Sequence, residues 1–258
     1  MTSTEHLPVL RISGTGPALV LLHCLGVDQH FWDFADELER DYTLLRYDLP
    51  GHGTSPLPQQ PYSIEDLSAQ LGRLLRDGGF QKAHVAGISL GGLIAQHFAA
   101  TNPQTVDRLI LIDTTPRYVD ELRHMWGVRA KTAREEGVSA LIDGLLKIWF
   151  SDEAVARNVP SVQYVRAALA RSSGEGYALA CEALASADLR EDASRIRAPT
   201  LIICGDNDIA SFLDAARWLE QNIAQATLKW IPGTRHASVI EKPEHAIRLL
   251  RDFLTPAV

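Results

Sequence analysis

The feature that most restricts this chain is a set of short, nearly unbroken apolar runs separated by stretches of helical period. ALVLLH at 18–23, YTLLRYDL at 42–49, AHVAGI at 83–88, RLILID at 108–113, TLIICG at 200–205 and TLKWI at 227–231 have strand length and β-forming composition. A strand without polar alternation is buried on both faces, so alternating runs of this kind predict a mostly parallel sheet covered by helices on both sides. LPVLRI at 7–12 is expected as an edge strand. After residue 89, Leu93, Ile94 and Phe98 recur at helical spacing until Asn102-Pro103 stops the run. Pro243 suits a first helical turn, and Ala246, Ile247, Leu250, Phe253 and Leu254 form one stripe behind it.

One interval breaks the rhythm. Between Asp113 and Thr200 no clear core strand occurs, while Val138, Leu141, Ile142, Leu145, Leu146, Trp149 and Phe150 fall at helical spacings, so at least one strong amphipathic helix is expected. Such a helix packs on the body of the protein, and it can also roof the carboxyl edge of the sheet, where open α/β sheets bind ligands. The expected organisation is a core of residues 1–114 and 196–258 with a helical cap inserted at 115–195.

Composition narrows the classes of function. At 46% hydrophobic and 22% charged residues over 258 positions, the chain can bury a real core and is not a disordered segment. A net charge of −7 argues against nucleic acid and anionic membrane surfaces as main partners. No apolar run approaches the roughly 18 residues of a membrane span, and the N-terminal stretch lacks the charged and apolar segments of a signal peptide. Cys24, Cys181 and Cys204 are few and far apart, which suits reduced thiols in the cytoplasm and neither a disulfide framework nor a zinc site. The expected partner is a small molecule, and a homo-oligomer stays open.

HVAGISLGGL at 84–93 holds Ser89 between Gly87 and Gly91. Gly-x-Ser-x-Gly alone is weak, because roughly one chain in ten of this length has it by chance at ordinary glycine and serine frequencies. Here a buried strand leads in and a helix leads out, the context in which such a serine sits exposed on a sharp turn. Glycines on either side relieve the crowding there, and the N–H of Leu90 at the helix start points at a developing oxyanion. A serine hydroxyl then needs a base, and the base needs a group to orient it. Of nine histidines, His236 sits best, in IPGTRHAS between the last strand and the last helix. LIICGDND offers Asp206 and Asp208 as the acid, with Asp113 ending an earlier strand. One of the Asp-Asn-Asp pair is expected to serve turn chemistry, and the reach beyond Gly205 favours Asp208. A second oxyanion donor belongs in the loop His23-Cys24-Leu25-Gly26, with Leu25 N–H the natural group. Cys24 itself invites a reading as a thiol nucleophile, but it lacks the turn, and small buried cysteines are common core residues. No HExxH, C-x-x-C, dinucleotide or phosphate-loop pattern occurs, so no metal or organic cofactor is implied.

With these residues in place, the order Ser89, Asp208, His236 resembles that of the α/β-hydrolase superfamily over essentially the whole chain. More narrowly it is similar to the 3-oxoadipate enol-lactonase group. That likeness is carried by LGVDQHFWD (25–33), DLPGHGTS (48–55), YSIEDL (62–67), HVAGISLGGLIAQ (84–96), VDRLILIDT (106–114), IWF (148–150), GYALACEALASADLRED (176–192) and APTLIICGDND (198–208). The chain departs from the group at the oxyanion loop, where His23-Cys24 stands for the usual Asn-Ser. It departs again after the acid, where Ile209-Ala210-Ser211-Phe212 replaces prolines, and its N-terminal strand pair looks shortened. The resemblance implies a serine hydrolase of aromatic-compound catabolism that opens a small lactone through an acyl-enzyme. A carboxylesterase, an acyl-homoserine lactone hydrolase or a carbon–carbon bond hydrolase of the same fold are the enzymatic alternatives. A ligand receptor on this fold is the non-enzymatic one. Because 3-oxoadipate enol-lactone carries a carboxylate, a cation is expected near the pocket. Arg117, Arg123, Arg129 and Arg134 stand at the start of the cap, and Arg129 with Trp126 is the expected substrate-binding pair.

Overall fold

The computed structural model describes residues 8–255. Seven strands form one sheet in the order β1-β3-β2-β4-β5-β6-β7. They are β1 (Arg11–Gly14), β2 (Ala18–Leu22), β3 (Thr43–Arg46), β4 (Ala83–Ile88), β5 (Val106–Ile112), β6 (Thr200–Gly205) and β7 (Ala226–Ile231). Only β1 runs antiparallel, against β3. The edge strand expected at 7–12 lies instead at Arg11–Gly14, where its four residues pair in register with Thr43–Arg46, and Leu7 is outside the described residues. Burial explains the apolar runs. Every residue of β2, β4 and β6 is buried, whereas the edge strand β1 alternates.

The other elements cover this sheet. They include α1 (Ile64–Asp77), α2 (Leu90–Thr101), α3 (Asp120–Glu135), α4 (Ile142–Trp149), α5 (Asp152–Ala156), α6 (Pro160–Arg171), α7 (Gly174–Ser186), α8 (Arg190–Ala193), α9 (Ala210–Asn222), α10 (Ser238–Glu241) and α11 (Pro243–Leu254). Ser-Ile-Glu-Asp at 63–66 starts α1 with a reciprocal cap: Ser63 Oγ accepts from Asp66 N–H, and Asp66 accepts from Ser63 N–H at 2.9 Å. The apolar stretch at 138–150, expected to hold at least one amphipathic helix, forms a 3-10 turn at Val138–Leu141 running into α4. Its stripe faces inward, with Val138, Ile142, Leu145, Leu146, Trp149 and Phe150 all buried.

The sheet order reverses between β2 and β4, which places a crevice at the carboxyl ends of those two strands. Helices α3 to α8, between β5 and β6, reach the loops around that crevice. Tyr164 donates to Asp28 Oδ1 at 2.8 Å, and Ser172 Oγ donates to the Gly26 carbonyl at 2.8 Å, so α6 is tied to the loop after β2. The α7 backbone at Gly176 lies so close to Gly51, in the loop after β3, that a Cβ there would meet the Gly51 carbonyl. The end of α4 is bonded to the loop after β7, where the Ala237 N–H donates to the Trp149 carbonyl at 2.8 Å. Among the described residues no helix is long and apolar enough to cross a membrane.

Candidate active site

Ser89 joins β4 to α2 with φ of +52°, a conformation that costs a non-glycine residue about 1–3 kcal/mol. Its backbone is held on both sides. The Ser89 N–H donates to the Ile112 carbonyl at 2.9 Å, and its carbonyl accepts from Thr114 Oγ1 at 2.8 Å. A Cβ at Gly87 would meet the Gly91 carbonyl, and one at Gly91 would meet that of Leu22, so strand, turn and helix close up only because both positions lack a side chain.

Around this turn the structure brings together the three residues expected from the sequence. Ser89 Oγ lies 3.1 Å from His236 Nε2, and His236 Nδ1 lies 2.9 Å from Asp208 Oδ2. An ionised carboxylate only accepts, so Nδ1 carries the proton and Nε2 is left to accept from the serine. Asp208 Oδ1 accepts from Ile209 N–H at 2.7 Å. Asp206, the alternative acid, caps the exposed turn by accepting from Gly233 N–H at 2.6 Å and stays away from His236. All three triad side chains are buried. Burial pushes the His236 imidazole toward neutrality, but the charge and hydrogen bond of Asp208 outweigh that and raise its pKa above 6.5.

The remaining predicted residues surround this triad. Leu22 and Gly87 pair directly across β2 and β4, so the loop carrying Leu25 and the helix start at Leu90 lie side by side. Neither Leu25 nor Leu90 donates its N–H to a protein acceptor among the described residues, as oxyanion donors require. His23 braces the same loop: its Nδ1–H donates to the Cys24 carbonyl at 2.8 Å, and its Nε2 accepts from Leu49 N–H at 2.9 Å. Cys24 is fully enclosed, and burial pushes its thiol pKa far up, which removes the thiolate a cysteine nucleophile needs. Arg129 lies over the Trp126 ring, 4.9 Å from its centroid. Of the four arginines expected near the pocket, three are engaged elsewhere. Arg117 pairs with Asp120 and Asp188, Arg123 donates to the Ala185 carbonyl, and Arg134 pairs with Glu175 and Glu182. Arg129 has no carboxylate partner among the described residues, and its charge reaches His236, Tyr118, Tyr177 and Cys181.

Sequence reasoning passed over several supports. Asp113, considered there only as an alternative acid, accepts from Gly205 N–H at 2.9 Å and from Ser238 Oγ at 2.6 Å, so it ties the ends of β5 and β6 to the residues after His236. Burial raises its pKa to about 7, although the neighbouring His236 pulls it down. Asp113, Cys204 and Asp208 converge within 4.8 Å, the spacing of a metal site. Their carboxylate oxygens already accept from Gly205, Ser238, Ile209 and His236, so this is a hydrogen-bonded node whose acceptor oxygens are engaged. Arg235 donates to the Lys147 and Phe150 carbonyls at 2.6 and 3.1 Å, anchoring the His236 loop on the end of α4. Two clefts open elsewhere, one of about 680 Å³ lined by Glu65, His97 and Asp192 and one of about 450 Å³ beside Asp28 and Arg171. Neither includes Ser89, which is only 5% exposed.

The model of the alpha/beta hydrolase family matches residues 19–248. The chain belongs to that family. It is 32% identical to 3-oxoadipate enol-lactonase 2 of Acinetobacter baylyi, over 90% of this chain and 87% of the relative. It is equally 32% identical to a pimeloyl-[acyl-carrier protein] methyl ester esterase of Chromobacterium violaceum, over 93% and 95% of the two chains. The crystal structure of the enol-lactonase from Burkholderia xenovorans LB400 superposes with a TM-score of 0.91 at 34% identity, covering 96% of each chain. Within this alpha/beta hydrolase, the segment that departs from the usual prolines puts Phe212 against the His236 ring at 4.4 Å. That contact shields the imidazole in an apolar wall.

The raised pKa of His236 has a sign that can be measured. The imidazole accepts a proton only when neutral, so kcat/KM on an aryl ester should rise with pH through a midpoint above 6.5. Asp113 in its ionised form helps hold that midpoint up, so Asp113→Asn should move it to lower pH in the same pH–rate profile.

Proposed function

We propose that this protein is a serine hydrolase that opens a small anionic lactone by way of an acyl-enzyme, with 3-oxoadipate enol-lactone as substrate in aromatic-compound catabolism. The observation that carries the reading is the position of Arg129. A half-buried guanidinium without a carboxylate partner among the described residues lies on the Trp126 face, and Trp126 connects through Tyr118 and Phe212 to the His236 ring, a placement that suits an acid substrate. The enol-lactonase relatives support the same choice. The methyl ester esterase relative supports the ester alternative, and the assay below separates the two.

In the proposed reaction Ser89 Oγ attacks the lactone carbonyl while its proton passes to His236 Nε2. The tetrahedral oxyanion is held by the N–H groups of Leu25 and Leu90, and Asp208 stabilises the imidazolium. Collapse breaks the ring C–O bond, and the enol oxygen takes the proton from His236. That oxygen stays tethered in the acyl-enzyme, where tautomerisation to a ketone makes ring closure unfavourable. Water, deprotonated by His236, then releases the diacid. No cofactor enters these steps. Residues 115–195 serve as a cap over the core formed by 1–114 and 196–258, and the buried, unpaired thiols of Cys24, Cys181 and Cys204 suit a cytoplasmic setting.

Spectrophotometric assay of freshly generated 3-oxoadipate enol-lactone beside a simple aryl ester should give a strong preference for the lactone. Ser89→Ala should lose several orders of magnitude in kcat on both. Equal or better turnover of the aryl ester would favour the esterase reading. Arg129→Ala should raise KM for the anionic lactone by about tenfold or more, and an unchanged KM would remove Arg129 from the substrate site.

A further inference from the structure

Three polar atoms of this region are buried without a well-aligned hydrogen bond among the described residues: Tyr118 Oη, which has only Ser89 in reach, Tyr177 Oη, which has Arg129 in reach, and Trp126 Nε1. Leaving a buried hydroxyl unpaired costs about 1–3 kcal/mol, so each such atom calls for an explanation. Tyr118 has the most informative surroundings. Its ring stands edge-on to Trp126 at 5.3 Å, and Trp126 carries the Arg129 guanidinium on its face. On its other side it stands edge-on to Phe212 at 6.1 Å, and Phe212 packs on His236. The hydroxyl is within reach of the Ser89 side chain but forms no well-aligned bond to it, and Tyr118 is 1% exposed. These contacts put Tyr118 between the reacting pair and the cation. Tyr47 is equally buried with an unpaired hydroxyl, but no charged group of the site acts on it.

We propose that Tyr118 is a specificity-determining residue whose O–H donates to an acceptor oxygen in the middle of the acyl chain. The site then selects acids that carry a keto or similar oxygen between the scissile carbonyl and the anionic end. The inference rests on the reading of Ser89 as nucleophile and Arg129 as the anion site. Its physical basis is an asymmetry. A chain with the oxygen pairs the hydroxyl, whereas a plain alkyl chain leaves it buried and unpaired, and sites built around such a donor discriminate against the analogue lacking the acceptor. Burial also pushes the phenol pKa upward, so the group stays a neutral donor at any working pH.

Two neutral probes isolate this contact from the charge of Arg129: the 4-nitrophenyl esters of 4-oxopentanoate and of pentanoate. The ratio of kcat/KM for the oxo ester to that for the alkyl ester is measured in the natural protein and in Tyr118→Phe, which keeps the ring contacts to Trp126 and Phe212. Intrinsic reactivity of the two esters cancels between the proteins. The ratio should fall about tenfold in the variant, and the same ratio in both proteins overturns the proposal. Calorimetric titration with 4-oxopentanoate and pentanoate reads the same discrimination without turnover. A binding preference for the oxo acid that disappears in Tyr118→Phe, in a protein that hydrolyses neither ester, would reject the acyl-enzyme reading and uphold Tyr118. Hydrolysis of both esters with an unaltered ratio would reject Tyr118 alone, and so would an unaltered binding preference.

Discussion

Everything at the candidate site depends on one strained turn. Ser89 sits at a φ of +52°, and the strain is tolerated because β4, α2 and β2 approach until two glycine positions have no room for a Cβ. That approach does three things at once. It aims the serine side chain out of the sheet, starts α2 at Leu90 with its first N–H groups unpaired, and sets that helix start beside the loop after β2. A substitution that loosened the turn would therefore disturb Ser89 and the N–H groups of Leu25 and Leu90 together.

The base is held by a different set of forces from two sides. Below His236, Asp113 gathers the end of β6 and Ser238 onto the end of β5. Above it, Arg235 and the Ala237 N–H hold the loop to the end of α4, where unpaired helix carbonyls are good acceptors. Apolar rings line the remaining side, with Phe212 at 4.4 Å and Trp149 at 6.3 Å from the imidazole. In such a low-dielectric setting the Asp208 charge acts strongly on His236, which is why its pKa rises despite complete enclosure. The roles proposed for Arg129 and Tyr118 draw on the same setting.

The fold was legible in the sequence because it follows from local pattern. Buried central strands read as unbroken apolar runs, and AHVAGI and TLIICG match β4 and β6 residue for residue. Chain order alone indicated Ser89 and His236, since a strand-to-helix turn and the loop after the last strand are recognisable positions. Asp206 and Asp208 were harder to separate, because both stand in one turn and only the long-range reach to His236 tells them apart. Less still could be read of Asp113, Phe212 and Tyr118, and nothing local set Arg129 apart from its neighbours. Arg134 is neutralised by Glu175 and Glu182, 41 and 48 residues away, whereas Arg129 is not, and no local spacing records that difference.

The account stands on Ser89 as the residue that takes up the acyl group. Rapid acid quench of a reaction with the lactone, followed by proteolysis and mass spectrometry, observes that step directly. The peptide spanning residues 84–93 should carry the added mass of the acyl chain, with the modification on Ser89, and the adduct should vanish in Ser89→Ala. An adduct on Cys24, or steady turnover with no covalent species at any quench time, would contradict it.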